Sequence, residues 1–278
     1  MVRVAAVQLA PSVTEPSTNR ARAVAAIEEA LSGGADIVVL PELTTSGYVF
    51  ETVDEVRAVA IRPDDELLAE WSRLAATRPR AVIVGGFAEL GADGALYNSA
   101  AIVDGTGVRA VYRKAHLWDR EKLFFTPGSE APPVVETAHG LLGTMICFDL
   151  EFPEWTRIAA LLGTEILAVP TNWPHMERPE GERVAEVQIG LATARINRMA
   201  IVCADRTGVE RGVAWNEGTS VISADGWLVA EVGAGSGIAY ADLDPALSRD
   251  KTLSDLSDAF GDRRTDLYER FTPHPGAR

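Results

Sequence analysis

The chain has 278 residues, 47% of them hydrophobic, so it is long enough to bury a large core. Its 26 Lys and Arg against 40 Asp and Glu give a net charge of -14, which disfavours nucleic-acid binding because phosphate would be repelled. No run of 18 apolar residues indicates a membrane helix, and the N-terminal residues lack the features of a signal peptide. We therefore expect no nucleic-acid partner and no membrane partner.

The first elements are predicted from apolar periodicity. Residues 2–9 predict a strand, and Ser17 or Thr18 is the predicted N-cap of a helix that Gly33 and Gly34 end. The unbroken apolar run 37–40, which Pro41 terminates, predicts a strand covered on both faces. Helices and strands thus alternate from the beginning of the chain.

The same alternation continues to about residue 243. A helix is predicted over 64–77, and strands over 81–88, 95–103 and 108–113, the last two joined by a tight turn that makes them antiparallel. Strands at 141–146, 166–169 and 201–204 alternate with helices at 154–162 and 182–199. Short strands near 219–222, 227–232 and 238–243 precede a polar helical tail. This order predicts one α/β domain over residues 1–278 with mixed sheets.

Three reactive side chains follow apolar strands. Glu42, Lys114 and Cys147 come just after the strands predicted at 37–40, 108–113 and 141–146. Ligand sites in open α/β sheets lie at the carboxyl ends of strands, so we expect these three residues to converge. A thiol with a pKa near ~8.5 needs a neighbouring base or cation to become a nucleophile, and Glu42 and Lys114 supply both.

Each of these residues also has an ordinary interpretation when it is taken alone. A strand-end cysteine is often a small buried hydrophobe, and a loop glutamate or strand-edge lysine is often a solvated charge. Cys203, inside an apolar strand, is assigned to the core. Because only two cysteines are present, we expect a reducing cytoplasm rather than a disulfide framework.

Several short segments occur in the order found in a known family. The chain resembles the nitrilase superfamily of carbon–nitrogen hydrolases over roughly residues 2–245. The resemblance implies a core of about 2–245 and a C-terminal extension of about 246–278. The segments that carry the resemblance are Pro41-Glu42-Leu43, Tyr112-Arg113-Lys114-Ala115-His116-Leu117, Phe125-Thr126-Pro127-Gly128, Cys147-Phe148-Asp149-Leu150-Glu151-Phe152-Pro153-Glu154, Pro170-Thr171-Asn172-Trp173-Pro174, Ala194-Arg195-Ile196-Asn197 and Gly218-Thr219-Ser220.

The resemblance implies a fold and a mechanism. The fold is a four-layer αββα sandwich that assembles through helices into a homodimer or a larger homo-oligomer. Glu42 would be the general base, Cys147 would form a thioester, and Lys114 with the backbone N–H of Phe148 would hold the oxyanion. Glu121 would be a second carboxylate that braces the triad. No metal and no cofactor is implied.

The residues after the cysteine indicate a substrate class. True nitrilases commonly carry Trp-Glu there, whereas this chain has Phe148-Asp149, which resembles amidases and carbamoylases. Many relatives have Arg where this chain has Glu151, so a cationic ω-amino amide such as 5-aminopentanamide is an expected substrate beside neutral aliphatic amides. Glu151 alternatively caps the following helix or pairs with Arg157.

Further pocket residues and other functions remain open at this point. Tyr48, Phe148, Asn172 and Trp173 are candidate pocket residues, although core packing explains each equally well. The alternative functions are an N-carbamoyl amidohydrolase, a nitrilase and an inactive scaffold. Neither the scattered histidines nor the glycines at 233–237 form a zinc or nucleotide motif.

Overall fold

Two mixed β-sheets, each of six strands, form the centre of the protein. The computed structural model describes residues 1–268. In the first sheet the strands lie in the order β14-β1-β2-β3-β4-β5. Their bounds are Val2–Gln8 (β1), Ile37–Val39 (β2), Val82–Leu90 (β3), Leu96–Asp104 (β4), Gly107–Arg113 (β5) and Gly237–Leu243 (β14).

The second sheet repeats this arrangement in the order β13-β12-β9-β8-β7-β6. Its strands are Val134–Thr137 (β6), Gly140–Thr144 (β7), Ile166–Pro170 (β8), Ala200–Ala204 (β9), Ser220–Ile222 (β12) and Leu228–Glu231 (β13). In each sheet three consecutive strands are parallel, namely β1-β2-β3 in the first and β7-β8-β9 in the second, and the outer pairings are antiparallel. The carboxyl ends of the parallel strands therefore lie at one edge of each sheet.

Alternating side chains place the sheets between layers of helices. In β1, Val4 and Ala6 face the other sheet, whereas Ala5 and Val7 pack against helices α1 (Pro16–Ser32) and α3 (Glu66–Ala76). Helices α4 (Pro153–Leu161) and α5 (Ala185–Asn197) cover the outer face of the second sheet. The predicted four-layer αββα sandwich is thus confirmed.

The remaining elements are short. They are α2 (Val53–Val59), the hairpins β10 (Val209–Glu210) with β11 (Val213–Ala214) and β15 (Thr252–Ser254) with β16 (Ser257–Asp258), α6 (Pro245–Arg249) and α7 (Thr265–Tyr268). The predicted helical tail is therefore partly a hairpin, and its last ten residues lie outside the described range. Within residues 1–268, none of the helices has the length and apolar character to cross a bilayer.

The predicted start of the first helix was wrong. Helix α1 begins at Pro16, and its N-cap Glu15 makes no side-chain cap hydrogen bond, so Ser17 and Thr18 lie inside the first turn. Proline suits the first helical position because its fixed φ is already helical and its missing N–H has no partner there. That preference outweighs the capping preference of serine and threonine.

Candidate active site

The candidate catalytic residues lie just beyond the carboxyl ends of strands, where the two sheets meet. Glu42 follows β2, Lys114 follows β5 and Cys147 follows β7. Asn172, two residues beyond β8, donates from Nδ2 to the carbonyl oxygen of Glu42 at 2.8 Å, and the Glu42 N–H donates to Thr171 at 3.3 Å. These bonds tie the edge of one sheet to the edge of the other.

Lys114 lies between two carboxylates and is fully buried. Its Nζ donates to Glu42 Oε1 and to Glu121 Oε1, each at 2.7 Å. Burial disfavours the ammonium, but the negative charges of Glu121 and Glu42 outweigh it and raise the pKa of Lys114 well above its usual value. The lysine is therefore a fixed cation and not a proton acceptor.

Glu42 has one engaged oxygen and one free oxygen. Oε1 accepts hydrogen bonds from Lys114 and from Nδ2 of Asn98, the latter at 2.7 Å. Oε2 is buried and has no hydrogen-bond partner among the described residues. Burial, opposed by the charge of Lys114 and reinforced by Glu121, raises the pKa of Glu42 to about 7. A carboxylate with this pKa exchanges a proton readily at neutral pH.

Cys147 begins a 3₁₀ turn, Cys147–Glu151, that leads directly into α4. Its φ of 49° is in the left-handed region, which is uncommon for a residue with a side chain. Burial and the neighbouring charge of Glu42 raise the pKa of the thiol, while Lys114 and the backbone N–H of Asn172 favour the thiolate. The raised pKa favours the protonated thiol, so formation of the thiolate needs a neighbouring proton acceptor.

The carboxylate of Asp149 holds this turn against the lysine segment. Asp149 accepts hydrogen bonds from the Ile146 N–H at 3.1 Å, the His116 N–H at 3.0 Å and the Tyr112 hydroxyl at 2.8 Å. The ring of His116 lies 2.7 Å from the same carboxylate. Because His116 follows Lys114 by two residues and Asp149 follows Cys147 by two, this cluster fixes the lysine relative to Cys147.

A cavity of about 310 Å³ is bounded in part by Glu121, the carboxylate that also holds Lys114. Glu121 and Tyr48 are in its wall, and the Tyr48 hydroxyl donates to Glu121 Oε1 at 2.5 Å. Most of the other lining side chains are apolar or aromatic, among them Trp118, Phe124 and Trp215. The wall of the cavity is therefore mostly apolar.

The other predicted pocket residues are not among those that line this cavity. Phe148 is half-buried and contacts the rings of Trp118 and Phe152. Trp173 packs in the core between the second sheet and its helices. Burial and the charge of Glu186 raise the pKa of the half-buried Glu151. Of the five predicted pocket residues, only Tyr48 is among the residues that line the cavity described above.

Several residues of this site were missed in the sequence. Asn98 lies inside β4 and has no motif around it, so only its position opposite Glu42 identifies it. Trp118 follows Lys114 by four residues, and that proximity is a signal available in the sequence. Within residues 1–268, no group of three or more His, Cys, Asp and Glu side chains is placed to hold a metal ion.

Comparison with known proteins gives the family. The sequence profile of the carbon–nitrogen hydrolases matches residues 3–251. A nitrilase of Pyrococcus abyssi is 38% identical over 272 residues, covering 97% of this chain and 100% of that protein. An (R)-stereoselective amidase of Pseudomonas sp. is 32% identical, covering 100% of this chain and 97% of the amidase.

A solved structure has the same fold. It is an amidase from Nesterenkonia sp. AN1 in which acrylamide has added to the active site cysteine, and it superimposes with a TM-score of 0.80 at 26% identity, covering 97% of this chain and 99% of that one. The chain belongs to the carbon–nitrogen hydrolase family, on the amidase-like branch of the nitrilase superfamily, and is a hydrolase of carbon–nitrogen bonds other than peptide bonds.

Proposed function

We propose that the protein is a thiol amidase that hydrolyses a small aliphatic amide to a carboxylic acid and ammonia. The observation that carries the proposal is the arrangement around Glu42. One of its oxygens is held by Lys114 and Asn98, and the other is buried without a hydrogen-bond partner in residues 1–268. The charge of Glu42 acts on Cys147, which begins a helical turn. This leaves one carboxylate oxygen to accept the proton of the thiol.

The proposed reaction begins with attack by Cys147. Its sulfur forms a bond to the amide carbon while its proton passes to Glu42. The carbonyl oxygen becomes an oxyanion that Lys114 and the backbone N–H of Phe148 stabilise. Collapse of this intermediate breaks the carbon–nitrogen bond, and protonated Glu42 gives its proton to the departing nitrogen, which leaves as ammonia.

The second half of the reaction releases the acid. Glu42, again ionised, takes a proton from water, and the hydroxide attacks the thioester carbon. The thiolate leaves and recovers the proton from Glu42. Glu121 takes no proton in this scheme; its carboxylate holds the Lys114 ammonium at 2.7 Å.

Two of the similar proteins favour amide cleavage. The Pseudomonas protein is an amidase, and the Nesterenkonia amidase reacts with acrylamide at its active site cysteine. The Pyrococcus relative is named a nitrilase, which keeps nitrile hydrolysis as an alternative. A panel of amide, N-carbamoyl and nitrile forms of one acyl group separates the three, and we expect the highest kcat/KM for the amide.

The thioester is tested by mass spectrometry. We expect the intact protein, quenched during turnover of a small amide, to carry an acyl adduct on Cys147 whose mass equals the acyl group. Cys147→Ala should abolish turnover, and Lys114→Ala should reduce kcat by about 10²-fold or more, since one lost oxyanion donor costs that much. Retained turnover in folded Cys147→Ala protein would refute the proposal.

An inactive scaffold predicts that iodoacetamide alkylates Cys147 slowly at neutral pH, whereas an activated thiol reacts quickly.

One feature favours a cationic substrate within this function. Burial raises the pKa of Glu151, and the negative charge of Glu186 raises it further. An ammonium group near both carboxylates would relieve this repulsion. We therefore include ω-amino amides as candidate substrates. Equal kcat/KM values for aminoalkyl amides and neutral amides of the same length would exclude this preference.

We further propose, from the sparse cysteines, that the protein works in a reducing compartment such as the cytoplasm.

A further inference from the structure

A buried carboxylate outside the triad binds three segments of the chain. Glu210, in β10, accepts hydrogen bonds from the Val13 N–H at 2.6 Å on Oε1. Its Oε2 accepts the N–H groups of Tyr48 at 3.0 Å and Val49 at 2.9 Å, and Arg206 Nη1 at 2.8 Å. The segment that carries Tyr48 is thereby fixed by the carboxylate of a residue more than 160 positions away.

The cation in this cluster is equally buried. Arg206 is 1% exposed and donates from Nη2 to the carbonyl oxygen of Pro11. Its guanidinium carbon lies 4.2 Å from the centre of the Trp215 ring, and that ring meets Tyr48 edge to face at 5.4 Å. Arg206 and Glu210 thus hold Tyr48 both through its backbone and through a ring neighbour.

The segment before Tyr48 packs closely against Glu210. Gly47 precedes Tyr48 with a φ of 79°, and a Cβ added there would lie 2.2 Å from the Val13 nitrogen and 2.6 Å from Glu210 Oε1. Glycine is therefore required where the segment passes over the carboxylate. This contact therefore constrains the backbone on which Tyr48 lies.

The contacts continue from Tyr48 to the lysine. The Tyr48 hydroxyl donates to Glu121 Oε1 at 2.5 Å, and the same oxygen accepts the Lys114 ammonium at 2.7 Å. We propose that Glu210, paired with Arg206, is a positioning residue: it fixes Tyr48, whose hydroxyl fixes Glu121, which aims Lys114 at the reacting carbonyl. The inference rests on the proposed thiol amidase function.

The test is a double-mutant cycle between Glu210 and Tyr48. Glu210→Asp keeps the charge that Arg206 needs, which protects the fold, but it is one methylene too short to hold all four donors. Tyr48→Phe keeps the ring and removes only the hydroxyl. We expect each single variant to lower kcat about 10- to 100-fold, since misplacing a catalytic group by about 1 Å costs up to that much. The kcat of the double variant should be no lower than the kcat of the less active single variant.

A matched control separates positioning from stability. Glu165 is also a buried carboxylate, and it accepts two bonds from Arg249 and one from the Leu141 N–H. It lies at the opposite end of β8 from Asn172. Glu165→Asp should lower the melting temperature to a similar extent as Glu210→Asp while kcat stays unchanged.

Two results would overturn the inference. One is a double variant whose loss in kcat is the product of the two single losses, because Glu210 would then act without Tyr48. The other is Glu210→Asp with the kcat of Glu165→Asp, which would make Glu210 a purely structural residue.

The same cycle is measured on the rate at which iodoacetamide alkylates Cys147, with the modified peptide identified by mass spectrometry. This rate depends on the triad and not on turnover, so the cycle still decides for or against Glu210 if the wild-type protein hydrolyses no amide. Failure of the proposed function appears in the wild-type protein, as absent turnover and no acyl adduct. Failure of this inference appears only in the comparison between variants.

Discussion

At the scale of single residues, burial and neighbouring charges determine which side chains of the site hold a proton. The pKa values of both Glu42 and Cys147 are raised, chiefly by burial, whereas Lys114 keeps its charge between two carboxylates. A proton can therefore lie on the Cys147 thiol or on the Glu42 carboxylate, and the positive charge of Lys114 stays constant in both cases. This balance makes activity sensitive to the hydrogen bonds of Glu42.

This balance predicts a pH dependence that Asn98 controls. A general base acts when it is ionised, so with a pKa of about 7 for Glu42, kcat/KM should fall about tenfold per pH unit below neutrality and level off above it. The hydrogen bond from Asn98 lowers the pKa of Glu42. Asn98→Ala should therefore move the acid limb to higher pH, which a pH profile of kcat/KM measures.

The neighbouring residue provides the control. Ser99 lies in the same strand, is also buried, and donates to Glu89 instead of Glu42. Ser99→Ala should leave the acid limb in place. An Asn98→Ala limb that coincides with the wild-type limb would show that Glu42 is not the base that controls it.

At the scale of elements, close backbone contact between β3 and the Glu42 segment holds the carboxylate in place. A Cβ added at Gly86 would lie 2.4 Å from the Leu43 nitrogen and 2.6 Å from Glu42 Cα, both backbone atoms that cannot rotate away. We expect Gly86→Ala to push Glu42 out of position, to reduce kcat at least tenfold and to cost about 1–3 kcal/mol in the free energy of unfolding.

Gly233 is the matched control, because an added Cβ there meets no atom within 4 Å and no left-handed φ is involved. Gly233→Ala should therefore keep wild-type kcat. Enzyme assays and urea unfolding of both variants decide the matter. Wild-type kcat in Gly86→Ala would mean that the Glu42 segment adjusts freely and that the contact does not position it.

The sequence predicted the helices and strands to a different extent than it predicted the candidate active site. The strands at Ile37–Val39 and Ile166–Pro170 were predictable because they are buried on both faces and are therefore apolar throughout. Helix α2 and strand β6 were not predicted; one is short and mostly exposed, and the other is an edge strand with no fully buried residue.

The sequence predicted only those residues of the candidate site that stand in recognisable motifs. Glu42, Lys114 and Cys147 stand in recognisable segments, and the structure brings their charges together. Asn98, Arg206 and Glu210 were missed because their roles arise from contacts between residues distant in the chain. Tertiary partners of this kind leave no local pattern in a single sequence.

At the scale of the whole molecule, one outer surface remains apolar. Ile158, Leu161 and Leu162 are spaced by three and four residues in and after α4, so they share one face of that helix, and all three are exposed. Ile196, at the end of α5, is also exposed, and its carbonyl oxygen accepts a hydrogen bond from Arg157 of α4. The two helices together present an apolar surface to solvent.

We propose that this surface pairs with a second copy of the chain, as the expected homodimer requires. Light scattering should give a mass near twice the 29.8 kDa of one chain. Leu161→Arg should shift the protein to the monomer, because a charge buried in the interface is costly, while a cation in the last turn of α4 suits the helix dipole and keeps the fold. Leu256, which is 93% exposed, serves as the control, and Leu256→Arg should stay dimeric. If the Leu161→Arg protein keeps the mass of a dimer, the interface lies on another face. If the wild-type protein is a monomer, the proposed dimer is wrong.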